Sequence, residues 1–302
     1  MTTKPKKAVH YSPETTAACE QLLVTLLHTF GDLADGVRLI GGLVPRDLAP
    51  EAPPEIPAHV GSNDVDVVLD MAVAGAQSVP ANVVARLEAA GFSRYQNGRG
   101  GERLWQWKRD IDGCWMRVDF LVNTDRPGGF AVLPVGDGSL HAAALPFAAM
   151  ASEWCVEKLL SIELPDGGGP ANATVRHADG AAFVALKALA LAGRDEPKDV
   201  ADIVHVMRYF PGKDVALADT FAERLRGGSY NEALSMAVGQ LELHFCDDER
   251  TEGHLKDGPR RFGTFHDFAD DDERVFEQRN VSEMVARFVA RVRRLAAPGL
   301  AD

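Results

Sequence analysis

The chain has 302 residues, 46% of them hydrophobic, enough to bury a core and to form two domains. A formal net charge of −12 excludes a general nucleic-acid coating protein, whose affinity comes from neutralising phosphates, but leaves room for a local basic groove. Cys19, Cys114, Cys155 and Cys246 are far apart and form no CxxC pair, so we expect free core thiols in a reducing compartment and no zinc site. No apolar run is long enough to span a bilayer, and no apolar stretch follows the N-terminal lysines. A soluble cytoplasmic protein without a membrane partner is the expectation.

Taken in chain order, residues 13–30 place Leu22, Leu23, Leu26, Leu27 and Phe30 at helical spacing. A strand over 37–40 runs into Gly41-Gly42. Four prolines between 50 and 57 mark a surface loop over 50–60. The alternation of 64–70 predicts a strand, with Asp70 as a turn residue at its end. Residues 80–90 read as a helix, with Pro80 at its start and Gly91 past its end. Three strands follow over 92–97, 102–109 and 114–123 as an antiparallel meander. Weaker strands over 153–163 and 172–177 flank the glycine-rich loop 166–170.

From Gly180 the spacing turns helical, with helices around 183–190 and 200–207 and further ones over 214–227, 231–245 and 281–297. The acidic, glycine-rich stretch 247–274 reads as an exposed loop. The fold class expected is therefore mixed α+β. A small mixed β-sheet flanked by helices over 12–165 is followed by a mainly helical C-terminal half over 178–302.

The informative run is Gly61-Ser-Asn-Asp-Val-Asp-Val-Val-Leu-Asp70. A side-chain period of two puts Asp64 and Asp66 on one side of a strand. Paired carboxylates repel each other, and a divalent cation is the usual compensation. Asp119, in Met116-Arg-Val-Asp-Phe-Leu-Val122, either completes a three-carboxylate site or forms a salt bridge with Arg117 or Arg38. Hard oxygen ligands favour Mg²⁺, two ions being expected, with Mn²⁺ as a substitute.

The Gly41-Gly42 turn offers backbone N–H groups to an anion, and Ser62 adds a hydroxyl two residues before Asp64. Farther on, Lys187 lies among apolar residues and either snorkels to water or meets a phosphate as a point charge. Pro197 suits the first turn of a helix capped by Asp195. Asp199 and Asp202, at i and i+3, share a face of that helix and are within reach of Arg194 and Lys198. Trp105, Trp107 and Trp115 read as core or an exposed sheet face, with substrate stacking as the alternative. His205 reads as structural. No Walker A, GxSxG or HExxH pattern is present.

These blocks resemble the nucleotidyltransferase superfamily of the DNA polymerase β type, and within it the AbiEii toxin family of bacterial toxin–antitoxin systems. The resemblance is carried by Leu39-Ile-Gly-Gly42, Asn63-Asp-Val-Asp-Val-Val-Leu69, Arg117-Val-Asp-Phe-Leu121 and the block from Phe183 to Ile203, over about residues 37–207. It implies transfer of NMP from an NTP to a hydroxyl, with the 3′ end of RNA, tRNA above all, as acceptor and a cognate antitoxin protein as partner.

The resemblance further implies metal ligands at Asp64, Asp66 and Asp119 and catalytic roles for these and for Lys187 and Asp202. Nucleotide contacts would come from Gly41, Gly42, Ser62, Lys187, Arg194, Lys198 and Asp199. Arg176, Arg194, Lys198 and Arg208 are candidates for a small basic cleft. The gap from Gly42 to Asp64 is longer than that superfamily usually has. A small-molecule adenylyltransferase and a catalytically silent interaction module of the same fold are competing readings, and a glycosyltransferase with a DxD metal site, which would not need Gly41-Gly42 or the block at 187–202, is a further one.

Overall fold

The structure is a computed structural model that describes residues 5–70, 82–98, 100–124 and 130–297. The fold is mixed α+β, and the chain divides into two compact units. The first comprises Tyr11–Val44 and Val60–Asp179; the second comprises Pro5–His10, Pro45–His59 and the chain from Gly180 onward.

The first unit is built on helix α1 (Pro13–Phe30) and a mixed sheet. Ser12 caps α1 by accepting from Thr15 N–H at 3.1 Å. Pro13 supplies the preset first turn, and Gly31 ends the helix at φ +59°. Strands β1 (Val37–Ile40), β2 (Asp64–Leu69), β3 (Ser93–Gln96), β4 (Glu102–Ile111) and β5 (Cys114–Thr124) fall where the alternation places them.

Sequence reading missed β6 (Val132–Val135) and β7 (Leu140–Pro146), and both weak candidates became long strands, β8 (Cys155–Leu164) and β9 (Gly169–Ala178). The sheet order is β3-β4-β5-β2-β1-β9-β8. β7 pairs in parallel with the end of β5, and β6 pairs with β7. Parallel pairing of β2 with β5 sets Asp66 directly opposite Asp119 and Asp64 opposite Arg117.

Alternation along β5 separates the two faces of this sheet. Met116, Val118, Phe120 and Val122 are buried, and Phe120 stacks on Phe30 of α1 with ring centroids 5.8 Å apart. Trp115, Arg117 and Asp119 lie on the other face. The short helix Val83–Ala89 follows β2 in the chain; Pro80, expected at its start, lies outside the described residues.

In the second unit, α2 (Gly180–Leu191), α3 (Pro197–Tyr209), α4 (Lys213–Gly227) and α5 (Asn231–Phe245) match the predicted helices. The stretch 247–274 differs from the expected loop. It contains α6 (Asp257–Phe265), with Phe262 and Phe265 buried, and the start of the long helix α7 (Asp271–Ala296). Asp195 does not cap α3. Glu196 occupies the N-cap position without a side-chain bond, while Asp195 pairs with Arg261 at 3.0 Å. No helix among the described residues is long and apolar enough to cross a membrane.

A candidate metal centre on the sheet and a buried ion cluster in the helical unit

Asp64, Asp66 and Asp119 converge. Each offers a carboxylate oxygen, and these oxygens all lie within 4.8 Å of one another. Period-two geometry puts Asp64 and Asp66 on one face, and the β2–β5 register brings Asp119 beside them. Arg117, on the same face of β5, binds Asp64 Oδ2 through Nη2 at 2.5 Å and brings Nε to 2.9 Å from Asp119 Oδ1. The latter contact is electrostatic only, because the N–H is not aligned on the oxygen. Among the described residues, buried Asp119 Oδ1 and Arg117 Nε therefore both lack a hydrogen-bond partner. Asp119 thus forms the expected salt bridge with Arg117 while its carboxylate also stands within the acidic trio.

Gln106, opposite Asp119 in the β4–β5 pairing, donates from Nε2 to Asp119 Oδ2 at 2.8 Å. This residue was missed in the sequence. Burial, together with Asp66 and Asp64, raises the Asp119 carboxyl above the usual carboxylate range despite Arg117. Burial opposes the Arg117 charge, but Asp119, Asp64 and Asp66 outweigh it, so the guanidinium is held all the more firmly protonated. Burial first, then Asp64 and Asp66, raises the Cys19 thiol well above its ordinary value.

The glycine turn contributes space. Gly41 has φ +82°, and a Cβ there would lie 2.3 Å from Asp66 Oδ2, so the Asp66 carboxylate occupies room that only glycine leaves. Gly42 completes the same turn and is buried. Ser62 is 1% exposed. Its hydroxyl donates to the Asp64 carbonyl at 2.9 Å, and its N–H donates to Thr16 Oγ1 at 3.2 Å. Ser62 thus orients Asp64, and it belongs to the carboxylate support.

The donor set fits a hard divalent cation. Among the described residues it has three carboxylates and no soft ligand, and one buried oxygen, Asp119 Oδ1, lacks a hydrogen-bond partner.

The late block forms a second cluster, wholly within the helical unit. Lys187 of α2 is 8% exposed and does not snorkel. Its Nζ donates to Asp199 Oδ1 and Asp202 Oδ2 of α3, each at 2.7 Å. Arg194 donates from Nε to Asp199 Oδ2 at 2.6 Å, and Lys198 donates to Asp202 Oδ1 at 2.7 Å. His59, at the end of the proline-rich loop, donates from Nε2 to Asp202 Oδ1 at 2.9 Å, since an ionised carboxylate can only accept.

Part of that loop is therefore anchored through a buried histidine, which sequence reading also missed. Its ring meets His205 edge-on with centroids 4.8 Å apart. Burial, the largest single influence, would raise both aspartates, but the neighbouring cations and hydrogen bonds together outweigh it: Lys187 and Arg194 for Asp199, and Lys187, Lys198 and His59 for Asp202. Asp199 is held at about 2 and Asp202 well below the usual range.

The candidate basic cleft is largely neutralised. Arg176 pairs with Glu157 at 2.7 Å and Asp35 at 2.8 Å, and Arg208 pairs with Glu277 at 3.0 Å. Comparison of the sequence with protein-family models and with curated proteins finds no match.

Proposed function

We propose that this chain is a metal-dependent nucleotidyltransferase that moves NMP from an NTP to a hydroxyl acceptor and releases pyrophosphate. One observation carries the reading: three carboxylates from neighbouring strands offer oxygens within 4.8 Å of one another. In this scheme Asp64, Asp66 and Asp119 hold Mg²⁺, two ions as in two-metal phosphoryl chemistry, with Mn²⁺ able to replace it. When bound, the cations supply charge neutralisation for the triphosphate and acidify the attacking hydroxyl.

The chain's own residues do the rest. The Asp119 carboxylate, at the edge of the trio, is the group placed to accept the acceptor's proton. Gln106 fixes one oxygen of that carboxylate, and Ser62 fixes the backbone beside Asp64. The bond from the acceptor oxygen to the α-phosphorus forms as the bond to pyrophosphate breaks. Lys187, Arg194 and Lys198 already hold carboxylates, so the proposal stands on the sheet trio without them.

On the resemblance we take the acceptor to be an RNA 3′ end, tRNA first, with a cognate antitoxin protein as the silencing partner. The test is incubation with each α-labelled NTP, Mg²⁺ and total tRNA, followed by a denaturing gel. Label should appear in RNA and vanish with Asp64→Ala or with chelator. Label transfer that survives Asp64→Ala would overturn the reading, as would no transfer from any NTP to RNA or to small hydroxyl compounds.

A further inference from the structure

We propose that the strip of sheet beside the carboxylates, made by Tyr95, Lys108, Trp115 and Arg117, holds the acceptor strand. The occupant is single-stranded RNA, with a base upstream of its 3′ end stacked on Trp115 and a backbone phosphate on Lys108. The inference rests on the transferase reading for its role but not for its binding.

Trp115 lies on β5 two and four residues before Arg117 and Asp119, so all three share one face of the strand. Four residues of strand span about 13 Å, which puts the indole near the carboxylates but clear of them. Its side chain is 59% exposed, whereas Trp107 on the neighbouring strand is fully buried and belongs to the core. Folding alone does not call for an indole in the open.

The cations at this strip sit on rings. Lys108 Nζ is 4.4 Å from the Trp115 ring centroid, and the Arg117 guanidinium is 5.8 Å from that of Tyr95. Lys108 stands opposite Arg117 in the β4–β5 pairing and has no carboxylate partner among the described residues. An available cation is notable in a chain of net charge −12.

An exposed aromatic beside a lysine with no carboxylate partner among the described residues is a pairing that single-stranded nucleic acid uses, since bases stack on rings and phosphates need cations. Charged residues are depleted at the core of protein-docking patches, and here the positions flanking Trp115 are Lys108, Asp110 and Arg117. The strip is continuous with the metal centre through Arg117, which touches Tyr95, Asp64 and Asp119 at once.

The experiment measures binding of a fluorescein-labelled short single-stranded oligoribonucleotide to the full chain by anisotropy, with the duplex of the same sequence as control. Trp115→Ala should weaken single-strand binding about tenfold, and Trp115→Phe should restore most of it. Lys108→Gln should weaken binding and reduce the salt slope by about one. Duplex binding should not respond to Trp115→Ala.

Equal affinity of wild type and Trp115→Ala would overturn the proposal, as would an absence of oligonucleotide binding. The two readings fail separately. Trp115-dependent binding with no label transfer from any NTP removes the transferase and keeps the platform. Transfer to RNA that ignores Trp115→Ala keeps the transferase and removes the platform.

Discussion

Asp66 rests against Gly41 so closely that a methyl group on the glycine would lie 2.3 Å from the Asp66 Oδ2 atom. The backbone at Gly41 is also left-handed, at φ +82°, which a side chain makes unfavourable by about 1–2 kcal/mol. Gly41→Ala should therefore displace the Asp66 carboxylate. Calorimetric titration with Mn²⁺ should show strongly weakened binding and label transfer should fall with it, while circular dichroism stays close to wild type. Unchanged Mn²⁺ affinity would separate the glycine turn from the carboxylates.

Gln106 supports the same centre from the next strand. It donates to Asp119 Oδ2 and leaves Oδ1 without a hydrogen bond. Gln106→Leu keeps the volume and removes the donor. Partners that orient a metal ligand commonly contribute 10–100-fold in affinity, so Mn²⁺ binding should weaken by about that factor. Gln106→Glu removes the same donor but adds a negative charge that attracts the cation, so its Mn²⁺ binding should weaken less than that of Gln106→Leu.

The position of Gln106 was legible in the sequence. Asp112-Gly113 is a two-residue hairpin loop, and both residues take positive φ, 49° and 88°. Counting outward from Ile111 and Cys114 puts Gln106 opposite Asp119. The Asp pair and the strand bearing Asp119 were readable from alternation alone. Their convergence was not, because it depends on the parallel β2–β5 register, which no local pattern encodes.

Helix α6 was hidden for another reason. Gly258 and Gly263 lower its helix propensity, yet a Cβ on Gly258 would lie 2.7 Å from the His244 carbonyl. Close packing against α5 needs glycine there, and burial of Phe262 and Phe265 outweighs propensity. The start of α7 did carry a signature: Asp270 accepts from the Glu273 N–H, and Glu273 accepts from the Ala269 N–H.

Cysteine accessibility gives a check on the first unit. Cys114 and Cys155 are exposed and Cys19 and Cys246 are buried, so only half of the expected core thiols lie in the core. Burial raises the thiols of both buried cysteines, Cys246 to about 11. A maleimide should label Cys114 and Cys155 quickly in the native protein and all four after denaturation. Rapid native labelling of Cys19 would show that the ground beneath Asp64 and Asp66 is open.

Lys187 separates a structural role from a phosphate-binding one. Removing it leaves Asp199 and Asp202 buried with less compensation, and breaking such a pair costs about 3–5 kcal/mol. Lys187→Met should therefore lower the denaturation midpoint substantially. Lys187→Arg tests the remainder. If the residue acts only within the cluster, stability and label transfer should fall together in both variants. A loss of transfer with stability retained would make Lys187 a phosphate contact.

Acid should destabilise the helical unit in two steps. Burial, and for each a nearby cation, disfavours the charged forms of His205 and His266, which are depressed to about 4. Unfolded histidines take up protons near 6.5, so stability present above that value is lost as pH falls toward 4. Asp199, held at about 2 against about 3.9 unfolded, contributes stability that is complete above about pH 4 and lost as pH falls through 2. The difference amounts to about 2–3 kcal/mol. Denaturant midpoints followed from neutral pH downward should show both declines, and Asp199→Asn should flatten only the lower one. Asp202 is depressed by the same cluster and also contributes there, so it is a lower decline of undiminished size in Asp199→Asn that would remove the Lys187–Asp199 pair as a source of acid sensitivity.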